Sequence, residues 1–394
     1  MQNRESGHYK LVLKNARAVL PKAVTDKTNI LIQDGLIAEI PVSPGSFSTA
    51  DSVLDLDGLT IYPGFIDVHI HGAMGVDTMD AKTEDLERVS GFLATEGVTG
   101  WMPTLVPAPF ENYRRTIDAV DGAMTSAEGA RILGVHYEGP FVNSAQCGAL
   151  RSKFFRTYSG PLDMNDLPRL NNAHAKHMMT FAPEVDGGVD LARELSNRGW
   201  IGSIGHTRAD LSILDQALAA GVKHMTHFMN AMSPLHHRSP GPVGWGLLRD
   251  EVTCDMIADG VHLDRQTLQL LIKTKGADRL SLISDAIAAA GRGDGEYQIW
   301  DEQIVVKNGR TQNSRGSIAG SVITMLDAVR LMKSLGCSPL DLARMASLNP
   351  ATLLGIDHEC GSVEEGKRAD LVALDDEFKV RLTIVGGEVV HDGN

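Results

Sequence analysis

The chain has 394 residues, 43% of them hydrophobic and 22% charged, with a formal net charge of −13. That length fits two domains or one barrel with an appendage, and no apolar run approaches the roughly 18 residues a membrane span needs. The acidic balance excludes nucleic acid and anionic membranes as partners, since both need an extended basic surface, and it requires any anionic ligand to be held by a few local cations.

Met1 to Lys10 is polar and lacks the cationic start and apolar core of an export signal, so the expected location is the cytoplasm. The first sixty residues then read as short strands broken by turns: Leu11 to Leu13, Asn29 to Gln33, a turn at Asp34 and Gly35, Leu36 to Ile40, and Val53 to Leu56. The far end has the same texture, with strands at Ala369 to Leu374, Val380 to Ile384 and Glu388 to Val390. The two ends, 1–61 and 361–394, are therefore expected to form one small β-sandwich.

Between them, strand-like runs centred on Val68, Trp101, Val135, Phe181, Ser203, Thr226, Met256 and Ile283 alternate with amphipathic stretches. Leu86, Val89 and Leu93 share one helical face before Gly97, and Leu268, Leu271 and Ile272 share another. Eight alternations predict a (β/α)₈ barrel over 62–360, and no GxGxxG follows the first strand to favour an open dinucleotide-binding sheet. Gly291, Gly293 and Gly295 open a β-hairpin insertion at about 291–315 over the barrel mouth, and 228–246 is a second long loop. The four cysteines, Cys147, Cys254, Cys337 and Cys360, form no CxxC pair and are expected as buried free thiols.

His69 and His71 stand two apart at the end of the first strand, so both are expected to point to one face, the barrel interior. Glu138, His206, His227 and Asp285 close the third, fifth, sixth and eighth runs. Taken singly each has a bland explanation: Glu138 could pair with an arginine, and Asp285 could cap a helix. Together they place imidazole and carboxylate ligands at the C-terminal ends of barrel strands, where such enzymes keep their chemistry, and these donors suit zinc, iron, manganese or cobalt.

The motifs are PGFIDVHIHG from Pro63, EGPF from Glu138, GHT from Gly205, THFMNAMSPLHHRSPG from Thr226, DGVHL from Asp259, SDA from Ser284 and SIAGS from Ser317, with NPATLLG and GKRADLVAL following. Over nearly its whole length the chain resembles the N-acetylglucosamine-6-phosphate deacetylases of the amidohydrolase superfamily. The resemblance implies a principal metal on Glu138, His206 and His227, a second ion helped by His69 and His71, and Asp285 as general base and acid. It also implies sugar-phosphate contacts from Asn230, Ala231, Arg238, His262 and the stretch Ile318, Ala319 and Gly320, with Arg238 reaching across a homodimer interface. An ion so held would lower the pKa of water from about 16 to about 7.

The phosphate expectation has its own physical basis, because Ser317 to Ser321 precedes a helical run from Val322 to Leu335 whose free N–H groups would face an anion. One departure stands out. Where family members commonly carry a carbonyl-polarising histidine, this chain has Ala149 and then Leu150, which has no donor. A second metal, Arg151 or a different substrate are the alternatives, and the intact HxH favours the metal. The nearest rival activity is deacetylation of N-acetylgalactosamine 6-phosphate. Further off stand a cyclic amidase, disfavoured by the absence of an identifiable bridging lysine, a deaminase, and a non-catalytic barrel.

Overall fold

A computed structural model describes residues 9–41 and 50–393; the polar N-terminal stretch up to residue 8 lies outside the described residues. Eight parallel strands form the central ring: β1 (Phe65–Ile70), β2 (Val98–Leu105), β3 (Gly134–Glu138), β4 (Lys176–Phe181), β5 (Ile201–Ile204), β6 (His224–Met225), β7 (Thr253–Ile257) and β8 (Leu280–Ile283), hydrogen-bonded in chain order from β1 to β8. Helices follow seven of them, Thr83–Thr95 after β1 and Arg265–Lys275 after β7 among them. After β3 the chain runs instead through short 3₁₀ turns such as Ser144–Gln146 and Pro161–Asp166.

The ring closes without a regular ladder between β8 and β1. The Asp67 carboxylate accepts from Ser284 Oγ (2.5 Å) and Ser284 N (3.3 Å), and Asp285 N donates to His69 O (2.9 Å). Burial of this carboxyl pushes its pKa up to about 7, against the lowering effect of the Ser284 bonds. Registers on β1 and β2 slip between Asp67 and Ile70, so β1 carries an extra residue. Ile66 and Val68 pack in the barrel interior against Met178, Ile257 and Ile283, and after the bulge His69 and His71 face inward as well. Without that slip, strand alternation would have sent them to the helix side.

Both termini build a second sheet, ordered Glu388–Asp392, Val380–Val385, Leu371–Leu374, Thr60–Pro63, Tyr9–Val19, Val24–Gln33 and Leu36–Glu39, with Ala50–Asp55 also paired to Tyr9–Val19. Leu13, Ile30, Ile61, Leu371 and Ile384 are among the residues of its separate core. We propose residues 1–61 with 361–394 as the small β domain and 62–360 as the barrel; the strand Thr60–Pro63, not expected from sequence, runs across that boundary. Over the barrel mouth lies a three-stranded antiparallel meander, Gly295–Ile299, Glu302–Lys307 and Arg310–Asn313.

Two local expectations need correction. The helix after SIAGS begins at Met325, not Val322, because Thr324 and Asp327 form a reciprocal cap. Segment 317–321 therefore lies upstream of the helix N-terminus and is bound elsewhere: Ser321 N donates to Asp285 O (2.7 Å) and Ala319 N to Thr311 Oγ1 (3.1 Å). All four cysteines are free, but only Cys254 and Cys360 are buried.

Candidate active site

The strands deliver their last residues to one point. His206, His227 and Asp285 each take a left-handed backbone conformation (φ +48°, +31° and +51°), a turn that ends the strand and swings the side chain over the barrel mouth. Non-glycine residues adopt it at a cost, and such strain concentrates where function demands a particular direction.

Glu138 sits at the centre. Its Oε1 lies 2.9 Å from His206 Nε2 and 3.0 Å from His227 Nε2, while its Oε2 is 3.4 Å from His71 Nε2. Asp285 Oδ1 is 3.3 Å from both His69 Nε2 and His71 Nε2, and those two ring nitrogens are 3.2 Å apart. Two triads result, Glu138 with His69 and His71, and Glu138 with His206 and His227, each with its ligand atoms within 4.8 Å of one another. His206 is oriented from behind. His206 Nδ1–H donates to Gln146 O (2.7 Å), which turns the Nε2 lone pair inward. Beneath His69, edge-on at 4.7 Å between ring centroids, lies His136, held by Val68 O and Thr180 Oγ1.

The electrostatics fit a bound cation. Burial opposes ionisation of Glu138, but hydrogen bonds from His206 and His227 hold it well below the usual carboxylate range. Asp285 is likewise held low, burial being outweighed by bonds from His69 and His71. Burial works against the charged form of His71 too, yet Asp285 and Glu138 push it up to about 8. Among the described residues, no lysine or arginine lines the cavity that could neutralise these two carboxylates. Imidazole nitrogens 3.2 Å apart beside shared carboxylate oxygens make a donor set for a divalent ion.

The cavity above them is about 230 Å³. His71, Glu138, His206, His227 and Asp285 form its floor, and Ala149, Leu150, Asn230, Ala231, His262, Ile318 and Gly320 all reach its wall. His69 is fully covered behind the floor. Ala319 is fully buried against Ile287 and Ile299 and does not face the cavity. Arg238 lies on an exposed loop outside it. His262 donates from Nδ1 to Asp259 (2.7 Å), leaving Nε2 as its free ring nitrogen. Arg151 does not line the cavity; it turns away to Asp301 (2.9 Å) and Pro107 O (3.5 Å), so it offers Leu150 no substitute donor.

Ser317, from the stretch expected to face an anion, lines the wall as well, while sequence reasoning missed Trp300, Ile257 and Gly148 in the wall and the two groups beneath the site, Asp67 and His136. The pattern His136-x-Glu138, two apart like His69 and His71, was a legible signal for His136. Nothing in the sequence pointed to Trp300, whose place depends on how the meander folds back.

The amidohydrolase family pattern matches residues 60–390. The N-acetylglucosamine-6-phosphate deacetylase of Bacillus subtilis (strain 168) is 35% identical over 393 residues, spanning 96% of each chain. An N-acetylgalactosamine-6-phosphate deacetylase of Escherichia coli O157:H7 is 33% identical over 96% of this chain and 98% of its own. The structure of a mutant N-acetyl-D-glucosamine-6-phosphate deacetylase from Mycobacterium smegmatis, in complex with N-acetyl-D-glucosamine 6-phosphate, superposes with a TM-score of 0.87 at 30% identity, covering 98% of this chain and all of that one. The chain belongs to the amidohydrolase family, in its N-acetylglucosamine-6-phosphate deacetylase branch.

Proposed function

We propose that the protein hydrolyses N-acetyl-D-glucosamine 6-phosphate to D-glucosamine 6-phosphate and acetate. The observation that carries this is the convergence of Glu138, His206, His227, His69, His71 and Asp285 on one cavity, in a chain 35% identical to such a deacetylase along 96% of its length. Glu138, His206 and His227 would hold a principal ion and His69 and His71 a second, with zinc, iron, manganese and cobalt all compatible with the donors. A divalent ion there supplies Lewis acidity and makes water acidic enough to ionise near neutral pH. Leu150 has no donor for the substrate carbonyl, so polarising it is chemistry that such an ion would supply.

Asp285 is ionised and aimed at the same point, so it can accept the proton of the attacking water and deliver it to the departing nitrogen, which is a poor leaving group until protonated. Asn230, Ala231, His262, Ile318, Ala319 and Gly320 are assigned to the sugar phosphate, Ala319 by fixing the backbone between its two neighbours. Arg238 is assigned to the phosphate bound by a second copy, in a homodimer. The cytoplasm is the location assigned to the reaction, a reading supported by the charged, phosphorylated substrate.

The Escherichia coli O157:H7 relative gives a second reading, the galacto epimer of the same substrate. Acetate release from both sugar phosphates, measured beside the metal content of the same preparation, tests the two together. Absence of acetate from either with metal bound would remove the assignment.

A further inference from the structure

Trp300, at the tip of the meander, carries two local costs although it packs against the neighbouring apolar clusters. Ile299 pairs directly with Glu302, so Trp300 and Asp301 make up a two-residue hairpin loop, both left-handed at φ +54° and +60°. Such loops favour Asn-Gly, and a large aromatic there is strained. The indole N–H is also buried without an acceptor.

What the placement achieves is a wall. The ring stands edge-on to His71, centroids 5.1 Å apart and planes at 82°, and lines the cavity with Leu150. The two loops are tied together: Arg151 Nη1 lies 2.9 Å from Asp301 Oδ2, and Arg315 Nη2 donates to Ala149 O (2.9 Å) while lying 3.4 Å from Glu302. Trp300 follows β8 and Leu150 follows β3, so an apolar surface spans the His71 flank. Asn230 and His262 follow β6 and β7 and make the opposite flank polar. An amide held over the floor has two unlike arms. Its hydroxyl-rich sugar matches the polar flank, which leaves the acyl methyl against Trp300 and Leu150.

We propose that Trp300, backed by Leu150, is the specificity wall for the acyl group, accepting acetyl and refusing longer chains. The inference rests on the amide-hydrolysing assignment above and adds the residue that measures the acyl arm. The test compares kcat/KM of the metal-loaded enzyme on the N-acetyl, N-propanoyl and N-butanoyl derivatives of glucosamine 6-phosphate. Each added methylene should cost the wild type roughly tenfold or more. In Trp300→Ala the acetyl-to-butanoyl ratio should fall by at least about tenfold, with Trp300→Phe between the two. Because the ratio is taken on one preparation, an incompletely folded variant does not disturb it. A ratio within about twofold of wild type in both variants, against that roughly tenfold expectation, overturns the proposal. So does a wild type that cleaves the acetyl compound but is indifferent to chain length. A wild type that cleaves none of the three overturns the underlying assignment as well.

Discussion

Replacing Asp285 by Asn separates chemistry from architecture. Asn, like Asp, is among the non-glycine residues that best tolerate the left-handed conformation at φ +51°, and the bonds that fix this corner, Asp285 N to His69 O and Ser321 N to Asp285 O, are main-chain and survive the change. Glu138, His206 and His227 stay in place, so at least one equivalent of metal should remain. The loss is a single proton acceptor 3.3 Å from both His69 and His71. General acid–base catalysis contributes about 10²–10⁴-fold, so kcat should fall by that factor, equivalent to roughly 3–5 kcal/mol on the barrier. KM should change little, because the polar groups at the sugar end are untouched. Acetate release under saturating substrate, with metal content and thermal melting measured on the same sample, makes the assay. A variant that keeps its metal and turns over within about tenfold of wild type, below the range expected of an acid–base group, would refute the role.

Other outcomes are open to measurement. Chelation should lower the melting temperature, since Glu138 and Asp285 would be left as buried anions, and added metal should restore it; an unchanged transition would argue against an ion at this site. Changing both His69 and His71 to Ala should reduce bound metal in a two-ion enzyme while sparing the ion on Glu138, His206 and His227; unchanged stoichiometry would show that the pair holds no ion. Arg238→Ala should raise KM for the phosphorylated substrate severalfold with kcat nearly kept, and an equal loss on unphosphorylated N-acetylglucosamine would count against a phosphate contact. His177 supplies a pH test. Burial and the nearby Arg169 charge lower its pKa from 6.5 to about 4, and as a neutral ring stacked on Trp200 it accepts from Leu170 N (3.0 Å). Between pH 4 and 6.5 the unfolded chain binds the extra proton, so stability rises with pH across that window and is lost on acidification. The difference reaches about 2 kcal/mol at pH 5. Urea unfolding at pH 7 and pH 5 should show this loss in wild type and not in His177→Gln; identical losses would refute it.

The barrel and the residues that meet at its mouth were largely legible because their signals are local. Alternating periodicity marked seven of the eight strands where they occur, and β6 one residue late, since Thr226 follows rather than belongs to it. Ligand chemistry at strand ends named the residues around Glu138, whereas the helix expected from Val322 starts at Met325, where Thr324 and Asp327 cap it. Leu150 announced itself as a missing donor before any coordinates existed.

What the chain order alone determined was the kind of residue at the end of each strand, since strand spacing and side-chain type are written one position at a time. The inward direction of His69 and His71 was expected from the sequence, but the means was decided only in three dimensions, by an extra residue in β1 whose bulge appears only against its neighbour. The closure of the ring by Asp67, the turning away of Arg151 and the arrival of Trp300 over the floor belong to the same class. Each depends on contacts between segments as much as 217 residues apart, as Asp67 and Ser284 are. No local pattern encodes such a contact, because its energy exists only once both segments have been placed by the rest of the fold.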